Sequence, residues 1–513
     1  MPKQQTDALI ALILTLKKSE KRHFKLFATR NQEDETLLYL QLFDEIEKKG
    51  MYDEKAILKK IPFLKKSQLS NVKAHLYRQL LLSLRIFYRN QYEDIVIRER
   101  LDYARILYQK GLYEQSLEML EIAKKKALLL HLPTLALEAN EFERLIESQY
   151  ITNNTENRAE ELTKEAINLS EKSNRTQVFS NLSFQLYSLF LKIGYVRSEE
   201  DVLKIKGIFY EKLPEYDLLE MGFYEKVYLY QAYSMYYFVC QDFLMHYKYT
   251  QKCLTVFEEN PQMLQVEVIL HLKILHSELN ALFYLSHYER FMYYFSELKN
   301  YKLKEMQDSN AESQLVLFQN IHTIRKHFLE GTFSEGLKIV PNLLFLIEKN
   351  PYHWDDYRIV MFHYKIACLY FGSGDMNNTI TFLNKIILER QPNFREDIQC
   401  FARILSLIAH FELGNLQLLE YQVKSVYRFL LKMEDMHEVQ KQIIVFIRNI
   451  PNIKRENLKK KFIELHDNLL KIKQMPYEKR AFLYLDIIGW LESKIQGKSV
   501  EVVLRNQFLE SGK

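Results

Sequence analysis

Glycine and proline are scarce in this chain, with 13 Gly and 10 Pro among 513 residues, where average usage of the two together is roughly 12%. Sheet-rich folds need many tight turns, and tight turns draw on those two residues. Their scarcity argues against strands and predicts an all-α protein. Cysteine is scarce as well. Cys240, Cys253, Cys368 and Cys400 are too few for a disulfide framework and form no C-x-x-C pair, so buried thiols in a reducing compartment, the cytoplasm, are expected. Long apolar runs are missing too. No stretch reaches the ~18–20 uncharged residues of a membrane helix, so no membrane span is expected. The apolar run Ala8–Leu16 is followed by Lys17-Lys18-Ser19-Glu20-Lys21-Arg22 with no small-residue cleavage site, which argues against a secretory signal.

With 47% apolar and 27% charged residues, the chain is expected to be folded throughout. At this length it exceeds the roughly 250–300 residues at which a single core stops growing. It should therefore be several domains or an elongated array. A repeat decides between them. Residues 103–127 run through an apolar-periodic helix, a turn at Gly111, and a second helix with Leu117, Leu120, Ala123 and Ala127 on one face. Comparable turns recur at Gly194, Gln241, Ser286, Gly331, Gly374 and Gly414. From Gly194 onward the spacing is about 40–47 residues, and the first gap is about twice that, leaving room for a degenerate unit turning near Asn153-Asn154-Thr155. Two residues past the seven turns stand Tyr113, Val196, Phe243, Tyr288, Phe333, Met376 and Leu416, each placed to wedge the second helix against the first. Five past the turn, Ser116, Gly336 and Thr379 are small, although Phe291 and Leu419 are not. Pro133, Pro261, Pro351 and Pro392 fall between hairpins, where a first-turn proline is tolerated.

Gln109-Lys110-Gly111-Leu112-Tyr113-Glu114-Gln115-Ser116-Leu117-Glu118, the stretch 329–337 around Gly331 and the stretch 372–380 around Gly374 resemble the turn of the tetratricopeptide repeat (TPR). The resemblance covers about two thirds of the chain, with a period longer than the usual 34 residues. Its texture, rich in Lys, Ile, Asn, Tyr and Phe, is similar to that of such proteins from Bacteroidetes-type bacteria. The expected organisation is an α-solenoid of about eight TPR-like hairpins over residues 93–432. A basic helical N-terminal cap or domain covers 1–92, and a helical C-terminal cap covers 433–513, where Pro476–Leu485 leads into Trp490. In TPR proteins the groove-facing positions lie about six and ten residues before the turn glycine. Here that implies Arg105, Gln231, His276, Asn280, Arg325 and Tyr364.

Signatures of catalysis and of metal or cofactor binding are absent from the sequence. Gly372-Ser373-Gly374 lacks the spacing and the preceding strand of a phosphate loop. His271 and His276, and likewise His322 and His327, are five apart, where helical metal pairs need i, i+4. The tyrosines between Tyr224 and Tyr249 either line a ligand cleft or, with Tyr233, Tyr236 and Tyr237 at helical spacing, pack between hairpins. No cofactor or metal is expected.

Charge is segregated. Residues 1–92 hold 18 basic and 10 acidic side chains, and Lys55–Tyr92 contains no acid at all. Lys59, Lys60, Lys65, Lys66, Lys73, Arg78, Arg85 and Arg89 are therefore candidates for an anionic partner. Tyr52–Ile61 and Gln68–Leu84 could form a helix-turn-helix contacting nucleic acid, but Leu69, Val72, Leu76, Leu80 and Leu84 must be packed. An acidic protein face or plain solvation accounts for the charge equally well. The function expected is a non-catalytic scaffold binding a protein or peptide. The alternatives are a ligand-sensing regulator whose residues 55–89 bind nucleic acid, and an enzyme whose site is assembled from distant residues.

Overall fold

Left-handed backbone marks the turns. Gly111, Gly194, Gln241, Ser286, Gly331, Gly374 and Gly414 all have φ between 55° and 92°, a region open to glycine and costly for other residues. At six of them the following residue donates back five positions: Leu112 to Leu107, Asp242 to Tyr237, His287 to Leu282, Thr332 to His327, Asp375 to Tyr370 and Asn415 to His410, at 2.9–3.0 Å. This bond satisfies carbonyls orphaned at the helix end. Asp242 and Asp375 then accept from the N–H of Met245 and Asn378 and so start the next helix. Gln241 and Ser286 carry the same turn without glycine.

The structure, a computed structural model, describes residues 2–30, 34–149, 157–196, 198–303, 309–388, 396–432, 438–450, 455–475, 478, 482 and 486–511. Among these every regular element is a helix. Contacts divide the chain into two compact units, Met1–Ser170 and Glu171–Lys513.

The first unit begins with α1 (Pro2–Thr15), α2 (Lys18–Ala28), α3 (Asp34–Lys49), α4 (Glu54–Lys60) and α5 (Leu69–Tyr88). These close on a core that includes Leu9, Phe24, Phe43, Ile57, Leu76 and Leu80. The hairpin α6 (Glu93–Gln109) and α7 (Tyr113–Leu129) follows, with α8 (Pro133–Gln149) packed on α7. Ser116, fully buried, donates to the carbonyl of Ala104 at 2.7 Å and lets the two helices of the Gly111 hairpin close. The turn expected near Asn153–Thr155 and the residue Pro392 lie outside the described residues. The helix that follows, α9 (Arg158–Ile193), is continuous over 36 residues.

The second unit continues with α10 (Glu199–Lys212), α11 (Phe223–Val239), α12 (Phe243–Glu259), α13 (Met263–Val266), α14 (Val268–Tyr284), α15 (Tyr288–Lys299) and α16 (Ser309–Glu330). Then come α17 (Phe333–Gly336), a 3-10 turn at Leu337–Ile339, α18 (Val340–Lys349), α19 (Asp356–Ser373), α20 (Met376–Ile387), α21 (Glu396–Glu412) and α22 (Leu416–Lys432). Tyr113, Phe243, Tyr288, Phe333, Met376 and Leu416 are each the first residue of the helix after a turn. Val196 stands outside a helix, buried, and donates to Val239 at 3.1 Å. The helix after Gly331 is broken in two because Pro341, at the start of α18, has no N–H to give. The first helices α14, α16, α19 and α21 touch one another in succession, besides pairing with their own hairpin partners.

Among the described residues, four helices follow residue 433: α23 (Glu438–Asn449), α24 (Arg455–Lys473), α25 (Ile487–Gln496) and α26 (Val500–Glu510). Trp490 is fully buried and its indole N–H donates to Glu412 at 2.7 Å. Most of Pro476–Leu485 lies outside the described residues. α26 docks on the Gly331 turn: the Ser334 N–H donates to Glu501 at 2.9 Å, and Arg505 donates to the carbonyl of Glu330 at 3.2 Å.

Candidate functional site

The helices that precede the turns at Gln241, Ser286, Gly331 and Gly374 present one face to a common space. Gln231 on α11, His276 and Asn280 on α14, Arg325 on α16 and Tyr364 on α19 all line a single cavity of about 1800 Å³. Five of the six expected groove residues are thus brought together, from four successive hairpins. Arg105 belongs to the first unit, where its guanidinium lies 5.0 Å from the centre of the Phe142 ring. The cavity wall is rich in aromatic and aliphatic groups, among them Phe238, Phe283, Phe318, Phe328, Met361 and Phe371. α26 also contributes to it, through Val500, Leu504, Gln507 and Phe508.

Polar groups are concentrated around Arg325. It is only 8% exposed, stacks over Phe283 at 4.8 Å and Tyr284 at 5.5 Å, and donates to the side-chain oxygen of Asn280. Its Nε has no acceptor among the described residues, and no carboxylate pairs with it there. Burial lowers its proton affinity, although the phenol of Tyr284 partly offsets this. One helical turn back, His322 bonds His276 through their ring nitrogens at 2.9 Å, and His276 stacks on Phe318 at 4.1 Å. Burial pushes both histidines well below the usual range, helped by Arg325 and Lys365 at His276 and by His276, Arg325 and Lys365 at His322. They are neutral at pH 7. Tyr364 is buried.

Other nearby groups are chemically quiet. Ser234 Oγ lies 2.8 Å from His246 Nδ1, but that nitrogen is also 3.0 Å from the Ser234 carbonyl. A ring nitrogen that donates to a carbonyl carries the proton and cannot take one from the hydroxyl. Burial pushes the His246 pKa down to about 4, and among the described residues no acid orients the ring as a triad would require. Burial raises the thiols of Cys240 to about 11 and Cys368 to about 12, far from the thiolate a nucleophile needs. Among the described residues no group of three His, Cys, Asp or Glu could hold a metal ion.

The tyrosines of 224–249 mostly pack. Tyr233 stacks on Tyr249 at 4.6 Å and Tyr236 on Phe209 at 4.7 Å, inside the core of α9–α12. Tyr228 lines the cavity. Gly372 faces the Phe333 ring so closely that a Cβ would lie 2.3 Å away, which accounts for that glycine by packing.

The eight basic candidates between Lys59 and Arg89 are exposed apart from Lys73, which lies 4.8 Å from the Tyr52 ring. Several have local counter-charges. Lys60 pairs with Glu45, Lys66 with Glu54 at 3.3 Å, Arg85 with Asp102 at 3.0 Å and Arg89 with Glu99 at 3.3 Å. Lys59, Lys65 and Arg78 have no ion pair among the described residues. On α5, Leu69, Leu76 and Leu80 are buried, so its apolar stripe is spent on the core.

The pattern pointed to neither Lys365 nor the α26 residues. Lys365 follows a groove position directly, which a search of adjacent positions would have reached. Nothing local links residues 500–511 to this cavity. No protein-family model matches the chain, and no curated protein or solved structure matches it.

Proposed function

We propose that this chain is a TPR-like helical-repeat protein of the α-solenoid kind, with helical caps, acting in the cytoplasm as a scaffold that binds a peptide segment of a partner without transforming it. The observation that carries this reading is the convergence of Gln231, His276, Asn280, Arg325 and Tyr364 on one cavity. Residues spaced by the repeat meet only if successive first helices line a shared surface, and α14, α16, α19 and α21 touch in that order. About 1800 Å³ exceeds the roughly 300–1,000 Å³ of a pocket for one small ligand and suits several side chains of an extended or helical segment. Four cysteines without a disulfide support a reducing compartment.

A photo-crosslinking residue placed at Met361, which lines the cavity, should capture peptides from a displayed random library. The same group at Tyr293, which is 61% exposed and outside the cavity, should not. Equal capture at the two positions sinks the proposal. The regulator reading gains less support, because Lys60, Lys66, Arg85 and Arg89 already face carboxylates.

A further inference from the structure

We infer that the Arg325 end of the cavity is an anion-binding subsite, and that the occupant carries one oxyanion on an apolar body. The inference rests on the reading of this cavity as the binding site and adds the chemistry of what enters it. A guanidinium removed from water is costly unless a negative charge meets it. Arg325 is more than nine-tenths buried, lines the cavity, and has no carboxylate partner among the described residues. Asn280 accepts one of its five N–H groups, the Tyr284 hydroxyl engages another, and the rings of Phe283 and Tyr284 flank the guanidinium. That geometry leaves a planar donor edge of the kind that binds carboxylate, sulfonate or phosphate through two parallel bonds.

The surroundings favour an anion. The neutral His276–His322 pair supplies no counter-ion. Lys273, Lys365 and Lys473 line the same cavity, as does Arg358, which is paired with Asp355 at 3.2 Å, against Asp242, Glu267 and Asp486. Each of those acids is already engaged: Asp242 and Asp486 cap helices through Met245 and Gly489, and Glu267 accepts from Tyr224 at 2.6 Å. The remaining wall, with Phe238, Phe318, Phe328 and Phe371, suits an apolar body.

The probe is 1-anilinonaphthalene-8-sulfonate, compared with N-phenyl-1-naphthylamine, the same body without the charge, titrated by fluorescence into the full chain. The sulfonate should bind at least about tenfold more tightly. Arg325→Gln should weaken it by roughly 10- to 100-fold and change the amine by less than about threefold. Equal binding of the two probes, or sulfonate binding unchanged in Arg325→Gln, overturns the subsite. If that variant does not fold, Arg325→Lys keeps the charge without the fork and should fall between. A test on the unaltered chain runs beside it: dodecanoate should raise the melting temperature and dodecanol should not, and equal shifts count against the subsite.

Displacement of the sulfonate by dodecanoate, and by an apolar decapeptide with one Glu but not its Gln twin, separates the two sources of the anion. Dodecanoate alone acting keeps the subsite and removes the peptide reading of function. Peptides binding with no Glu preference keeps that reading and removes the subsite.

Discussion

A Cβ built on Gly331 would sit 2.5 Å from the backbone nitrogen of Arg505 and 2.7 Å from the carbonyl carbon of Leu504. Gly331, with φ of 65°, is therefore both a turn and the seat of α26. Gly414 has φ of 71° and nothing within 4 Å of its Cβ position. Gly414→Ala should cost only the left-handed strain, about 1–2 kcal/mol. Gly331→Ala adds a backbone clash that no side chain can relieve. It should cost more in chemical unfolding and should speed amide exchange across Val500–Glu510. Equal effects of the two substitutions, with α26 still protected, would show that the docking is not as tight as the geometry states.

That contact also marks where reading the sequence stops. The seven turns are legible because a helix end needs a left-handed residue and because an apolar residue stands two positions on, although Leu416 remains 44% exposed there. Gln241 and Ser286 follow from the period although they lack glycine. The groove residues followed from the same period, since positions six and ten before a turn share a helical face. The break at Pro341 has a local signal, a proline inside the second helix of a hairpin, but the repeat pattern alone does not contain it. The partners of Arg325 were not legible either. Asn280 and Tyr284 sit on a neighbouring first helix, and sequence spacing alone does not say which side chains turn toward each other. The docking of α26 has no local signal, being a single long-range surface fit.

Acid should destabilise the second unit in a defined window. His246, His271 and His363 are pushed down to about 4 by burial, and His276 and His322 lie well below the ordinary value. In the unfolded chain all five take up protons as pH falls below about 6.5, while the folded unit refuses them. Stability is therefore retained above that pH and falls between about 6.5 and 4, by about 1.4 kcal/mol per pH unit for each proton. Replacing His276 and His322 by Gln should flatten the slope by nearly two protons' worth. The readout is the free energy of unfolding from urea titrations at several pH values. Slopes that coincide for the two proteins would rule out these histidines as the cause.

The basic stretch gives a prediction in salt. Lys55, Lys59, Lys65 and Arg78 are exposed and lack ion pairs among the described residues, whereas Lys60, Lys66, Arg85 and Arg89 have carboxylates beside them. Exposed pairs are weak, but a phosphate must still compete with the carboxylate already present. Four available cations limit the slope of log K against log salt for duplex DNA to about −3.6, at roughly −0.9 for each phosphate neutralised. Binding at physiological salt should be negligible. Replacing Lys59, Lys60, Lys65, Lys66 and Lys73 by Gln together should remove what little appears at low salt and leave cavity ligands unaffected. A wild-type slope near −7 would mean that the four paired cations leave their carboxylates and join the other four on phosphate, and nucleic acid would then be the partner of this face.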